Sequence, residues 1–107
     1  YVLDLNIKSM TIKDIKKDLE SAKRPVPRVL KSGDNFKVII IGFKDKMILD
    51  DHKTDIPARL VVLEGKVIYK EGDKTVMMNQ YDEVNIPVNI IHSVTALEDS
   101  LCMVVKG

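Results

Sequence analysis

Tryptophan is absent from this chain, and the aromatic share is only 5%, two phenylalanines and three tyrosines. Any core must therefore be built mainly from aliphatic side chains. Cysteine occurs once, as Cys102, so no internal disulfide can form. A lone thiol fits a reducing compartment, and a cytoplasmic location is expected. No apolar run approaches membrane length: the longest, VIIIGF from Val38 to Phe43, falls far short of the ~20 residues that a bilayer-spanning helix needs. A signal peptide is not expected either, because Asp4 interrupts the apolar start and no basic segment precedes it. Neither sign of charge dominates. Lysine plus arginine number 17 against 16 acids, a net of +1, without the basic surplus that tracking a phosphate backbone requires. Lys16-Lys17 and Lys23-Arg24 have acids close by and read as a solvated helix face. There is no glycine-rich phosphate loop and no serine or cysteine in a nucleophile elbow, which removes nucleotide-binding and nucleophilic hydrolase readings.

What is present suits one globular domain. The 107 residues are 45% hydrophobic and 31% charged, enough for a single core without staples. Leu3, Leu5 and Ile7 alternate with polar residues, a short-strand signal. Thr11 and Asp14 stand at capping-box spacing, and Ile12, Ile15, Leu19 and Ala22 share one helical stripe. A helix is expected from Ile12 to Lys23, ended by Pro25 and Pro27. Beyond it the chain reads as short strands separated by turns. SGDN at Ser32 to Asn35, EGK at Glu64 to Lys66 and EGD at Glu71 to Asp73 supply the turns, and EDS at Glu98 to Ser100 reads as another. VIYKEGDKTVMM is the clearest hairpin. Strands are expected further on at 83–86, 90–97 and 101–106. The expected architecture is mainly β, an antiparallel sandwich or barrel over residues 25–107. Residues 1–24 are an N-terminal extension of strand and amphipathic helix, suited to dimerisation.

Strand alternation nominates a site, because residues two apart share a face. In an extended 46–52 segment, Ile48, Asp50 and His52 lie on one side. His92 shares the apolar face of its strand with Ile90 and Val94, where an imidazole is desolvated unless it finds a partner or ligand. Together His52, His92 and Asp50 have the donor set of a two-histidine, one-carboxylate metal centre. The plain alternative is a set of buried polar groups satisfying one another, with Asn79 or water as further partners. Tyr69, Met77, Asn79 and Met103 fall where strands alternate, so some are expected to line the lumen, Met77 and Met103 foremost as core filler. Arg59 is a candidate anchor for a substrate carboxylate, though burial statistics favour a rim position with a surface partner. Cys102 reads as a buried, inert thiol.

Two stretches, DDHKTDIPARLVVLEGKVIYKEG and YDEVNIPVNIIHSVTALEDS, resemble the paired motifs of the cupin superfamily, particularly its small single-domain members. The resemblance spans about Met47 to Val105. It implies a double-stranded β-helix, or jelly-roll barrel, with a pocket in its mouth, a homodimer and a small-molecule ligand. It further implies a divalent transition metal (Fe, Mn, Ni, Zn or Cu) on three histidines and a glutamate. Position by position, His52 and His92 match two of those histidines and Asp50 occupies the place of a third. The glutamate has no counterpart: Ile56, Pro57 and Ala58 stand there, with Asp55 one position early. Tyr81 replaces a glycine before Asp82, so a reshaped turn is expected. The resemblance leaves open a metal-dependent pocket, a metal-free binding or sensing module, and a non-catalytic structural dimer.

Overall fold

The computed structural model describes residues 10–107, so the alternation at Leu3, Leu5 and Ile7 lies outside the described residues. One helix, α1 (Thr11–Leu19), precedes nine strands. These are β1 (Val26–Ser32), β2 (Lys37–Phe43), β3 (Ile48–His52), β4 (Ala58–Glu64), β5 (Val67–Glu71), β6 (Lys74–Met78), β7 (Glu83–Ile86), β8 (His92–Ala96) and β9 (Ser100–Lys106). They form two antiparallel sheets, ordered β1-β2-β9-β4-β7 and β3-β8-β5-β6. No helix among the described residues is long and apolar enough to cross a membrane.

The alternating strands dictate which face each sheet turns inward. On β4, Ala58, Leu60 and Val62 are buried, and on β9 so are Cys102 and Val104. They meet Val67, Tyr69, Val94 and Ala96 from the facing sheet in one core. Tyr69 is the largest side chain buried there; its hydroxyl escapes the apolar surroundings by donating to Glu71 Oε1 at 2.8 Å. A second, smaller core lies on the outer face of the five-stranded sheet, where Ile15 packs with Ile40 and Leu101 and is flanked by Leu19 and Met103. The helix comes so close at Gly42 that a Cβ there would collide with Ile15.

The helix is shorter than its apolar stripe suggests. After Leu19 the chain tightens into i→i−3 hydrogen bonds, from Ser21 N–H to Asp18 O and from Ala22 N–H to Leu19 O. Nor does Thr11 cap it: Met10 holds the N-cap position with no side-chain cap bond, and Thr11 is already helical. The hairpin of β5 and β6 forms as expected, with Glu71 opposite Lys74 across a two-residue turn in which Gly72 has φ +55°. Residues 90 and 91, by contrast, lie outside β8, which begins at His92.

Tyr81 reverses another expectation. It has φ +72°, so the turn before β7 keeps the left-handed geometry that glycine usually supplies and is not reshaped. Three hydrogen bonds hold it there: Tyr81 N–H to Val62 O at 2.7 Å, Asp82 N–H to Asn79 O and Asn79 N–H to Asp82 Oδ2. The ring is 73% exposed and gains little from packing. Left-handed φ costs a non-glycine residue about 1–2 kcal/mol, partly offset here because glycine loses more entropy on folding, about 0.5–1 kcal/mol. Tyr81→Gly should therefore raise stability by up to about 1 kcal/mol, read as a higher urea midpoint at unchanged m-value. A clear fall in midpoint would show that the ring or its backbone holds the turn in some other way.

Candidate functional site

At one end of the sandwich the inner faces enclose a cavity of about 80 Å3. Its walls are aliphatic and aromatic, with Ile41, Phe43, Leu60, Val94 and Val104 among them, and its polar lining is His52, His92, Thr54 and Lys106. The two histidines reach it from adjacent strands, being register partners on β3 and β8. Their rings stand edge to face with centroids 4.1 Å apart. His92 is buried, and His52 is exposed on the outer side of the pair.

Local geometry fixes the tautomer of each ring. His52 Nδ1–H donates to the carbonyl of Asp50 at 2.8 Å, and His92 Nδ1–H donates to the carbonyl of Ile90 at 3.1 Å. A carbonyl can only accept, so both protons sit on Nδ1 and both Nε2 atoms carry lone pairs in the neutral rings. The His92 pKa is lowered, chiefly because burial penalises the imidazolium, with the nearby His52 and Lys106 acting in the same direction. The Ile90 carbonyl and Glu71 oppose that shift.

Asp50 does not join them. Leu49 pairs with Val94 and His52 with His92, so β3 advances three residues where β8 advances two. This bulge breaks the alternation on which the sequence reading relied. Leu49 and His52 turn inward, while Asp50 is exposed and offers His52 only its backbone carbonyl. Another acid, Glu71, is the register partner of His92 on β5, but it accepts the Tyr69 hydroxyl. Among the described residues no three His, Cys, Asp or Glu side chains are placed to hold a metal ion. Two imidazoles without a third protein donor do not fit the three- or four-ligand centre of a catalytic metal.

The other candidates separate cleanly. Tyr69 is inside, its ring centroid 5.9 Å from that of His92. Met77 is 58% exposed and Asn79 is exposed too, because the inward positions of β6 fall to Val76 and Met78. Met103 points to the helix side of its sheet. Arg59 faces outward between buried Ala58 and Leu60, pairing with Glu83 at 3.0 Å and with Asn85. That is the rim position rather than the lumen. Cys102 is fully buried, and burial pushes its thiol up to about 12. Sequence reasoning missed Leu49, Thr54, Glu71 and Lys106. Lys106 was legible in principle, since it continues the inward row of Cys102 and Val104. Thr54 is committed to a turn, its hydroxyl donating to Ile56 O at 2.9 Å.

Solved structures of similar shape share this architecture. An RmlC-like cupin protein from Desulfovibrio desulfuricans is 25% identical, with TM-score 0.74 over 79% of this chain and 83% of its own. A cupin superfamily protein from Desulfitobacterium hafniense superposes with TM-score 0.74 at 13% identity, covering 78% of this chain and 77% of its own. A Cupin 2 conserved barrel domain protein from Leptotrichia buccalis gives TM-score 0.74 at 24% identity, with this chain spanning 45% of its length. No family model matches the sequence. A stretch of 60 residues is 30% identical to the outer-membrane lipoprotein LolB of Psychromonas ingrahamii, and this chain covers 29% of that protein. A match of that extent assigns no activity.

The lowered His92 pKa has a definite consequence for stability. A group whose folded pKa lies below its unfolded value binds fewer protons in the native state, so stability is complete above the unfolded pKa and is lost as pH falls through it. For His92 the loss begins near the ordinary value of 6.5. The urea midpoint should thus fall between pH 7.5 and 5.5 in the wild type by more than in His92→Gln, whose side chain does not titrate. Equal slopes for the two proteins would contradict a desolvated His92.

Proposed function

We propose that this chain, a small cupin domain, binds a small molecule in the barrel mouth without a metal ion, using the imidazole pair as hydrogen-bonding groups above an apolar pocket. The supporting observation is the arrangement at β3. Two lone-pair Nε2 atoms and one ammonium border an otherwise apolar cavity, while the carboxylate that would complete a metal site is turned to solvent by the bulge. Neutral imidazoles buried beside hydrocarbon discriminate strongly for a ligand group that pairs with them, since a ligand lacking that group leaves them unsatisfied. Fold alone carries no chemistry, so the reading is a binding or sensing function and assigns no reaction.

A homodimer belongs to the same proposal. Strand β1 is the open edge of the five-stranded sheet and exposes Val29, Leu30 and, just beyond it, Phe36, a face and edge suited to a second copy. A reducing compartment such as the cytoplasm suits the single buried free thiol.

The competing reading, a metal-dependent pocket on His52, His92 and Asp50, makes a different prediction. A metal at one hundred times its dissociation constant adds about 2.7 kcal/mol, which raises the melting temperature by on the order of ten degrees in a domain this size. Protein purified without a chelating resin should contain far less than one equivalent of metal and show no such shift with Mn, Fe, Ni, Zn or Cu. Branched aliphatic fragments should move the methyl NMR signals of Leu60, Val94 and Val104 equally with and without EDTA. Stoichiometric metal lost in His52→Ala and His92→Ala would overturn the proposal, as would fragment binding that EDTA abolishes.

A further inference from the structure

The open end of the barrel carries a charge arrangement that the imidazole pair does not explain. Lys106 closes the inward row of β9 after Cys102 and Val104, and its side chain lines the cavity. Its register partner on β2 is Lys37. No bulge interrupts that pairing, and Lys37 precedes the inward-facing Ile39 and Ile41 on its own strand, so both lysines stand on the same face. Like charges directly opposed on one sheet face repel, yet neither lysine makes an ion pair among the described residues. The acid on the facing sheet, Glu71, accepts the Tyr69 hydroxyl. Beneath the lysines the pocket is hydrocarbon, apart from the imidazole edges and a threonine committed to its own turn.

We propose that the ligand is a short branched aliphatic carboxylate, its carboxylate held between Lys106 and Lys37 and the imidazole pair, and its hydrocarbon tail in the cavity below. This deepens the proposed function and rests on it. An anion relieves the repulsion between the two ammonium groups and forms charge-assisted hydrogen bonds with Lys106. It is selected over neutral analogues for that reason. The size of the tail follows from the cavity. At about 80 Å3 it has roughly half the volume of an engineered apolar cavity that takes up benzene, ~150 Å3. A tail of roughly three to five carbons therefore fits where a six-membered ring does not.

The test compares isobutyrate with its near-isosteres isobutyramide and isobutanol, titrated by methyl NMR into the wild type and into Lys106→Met and Lys37→Met. At low ionic strength the wild type should bind isobutyrate at least tenfold more tightly than the amide or the alcohol. Lys106→Met should erase that preference while leaving the weak binding of the alcohol unchanged, and Lys37→Met should reduce it several-fold. Should Lys106→Met fail to fold, added salt serves in its place: it should weaken isobutyrate in the wild type and leave isobutyramide unaffected. If all three probes bind equally, or if Lys106→Met keeps the preference, the carboxylate assignment is overturned and the binding pocket stands. If none of the three binds, both fall together.

Discussion

Antiparallel pairing gives a strand two faces in strict alternation, and the nature of this site depends on the one position where β3 departs from that rule. Between Leu49 and His52 the strand carries an extra residue relative to β8, and one residue is enough to exchange inside for outside. Without the bulge, His52 could share the lumen with Asp50 but not with Leu49. With it, the wall gains an aliphatic side chain and loses a carboxylate. The Asp50 carbonyl meanwhile fixes the tautomer of His52, so the same distortion expels the acid and orients the imidazole.

Charge and burial then set what the mouth can recognise. The sandwich interior is apolar, and among the described residues no buried side-chain nitrogen or oxygen lacks a partner. The polar groups inside are each answered locally, Tyr69 by Glu71 and the two Nδ1–H groups by backbone carbonyls. What remains available sits at the rim: two Nε2 lone pairs, the Lys106 ammonium and, beside it, that of Lys37. A neutral His92 at physiological pH follows from its burial and from the cation nearby. Recognition there rests on hydrogen bonding and ion pairing over a hydrocarbon floor.

Much of the fold was legible in the sequence because it rests on local signals. Gly72 marks the hairpin of β5 and β6, β-branched runs mark β2 and β4, and the resemblance around His52 and His92 identifies the barrel. The helix end was less legible, since an apolar stripe continues through Ala22 while the backbone has already tightened after Leu19. Within the site, His92 was placed inside correctly because β8 is regular. Asp50 was placed on the same face as His52 because a bulge leaves no mark in the hydrophobic pattern of five residues. Arg59 lies where burial statistics put it, at a rim held by Glu83. Lys106 and Lys37 escaped notice for a different reason: their meaning comes from pairing between β2 and β9, strands far apart in sequence.

The central claim is that the imidazole pair is a two-nitrogen site without a third protein donor. Long-range 1H–15N NMR of the two rings, recorded at pH 7.5 before and after addition of one equivalent of Co2+, tests it most directly. The account predicts two neutral rings protonated at Nδ1 and no paramagnetic displacement of either. Large paramagnetic shifts at both rings, saturating at one equivalent and lost in Asp50→Ala, would contradict it and return Asp50 to the site as a ligand.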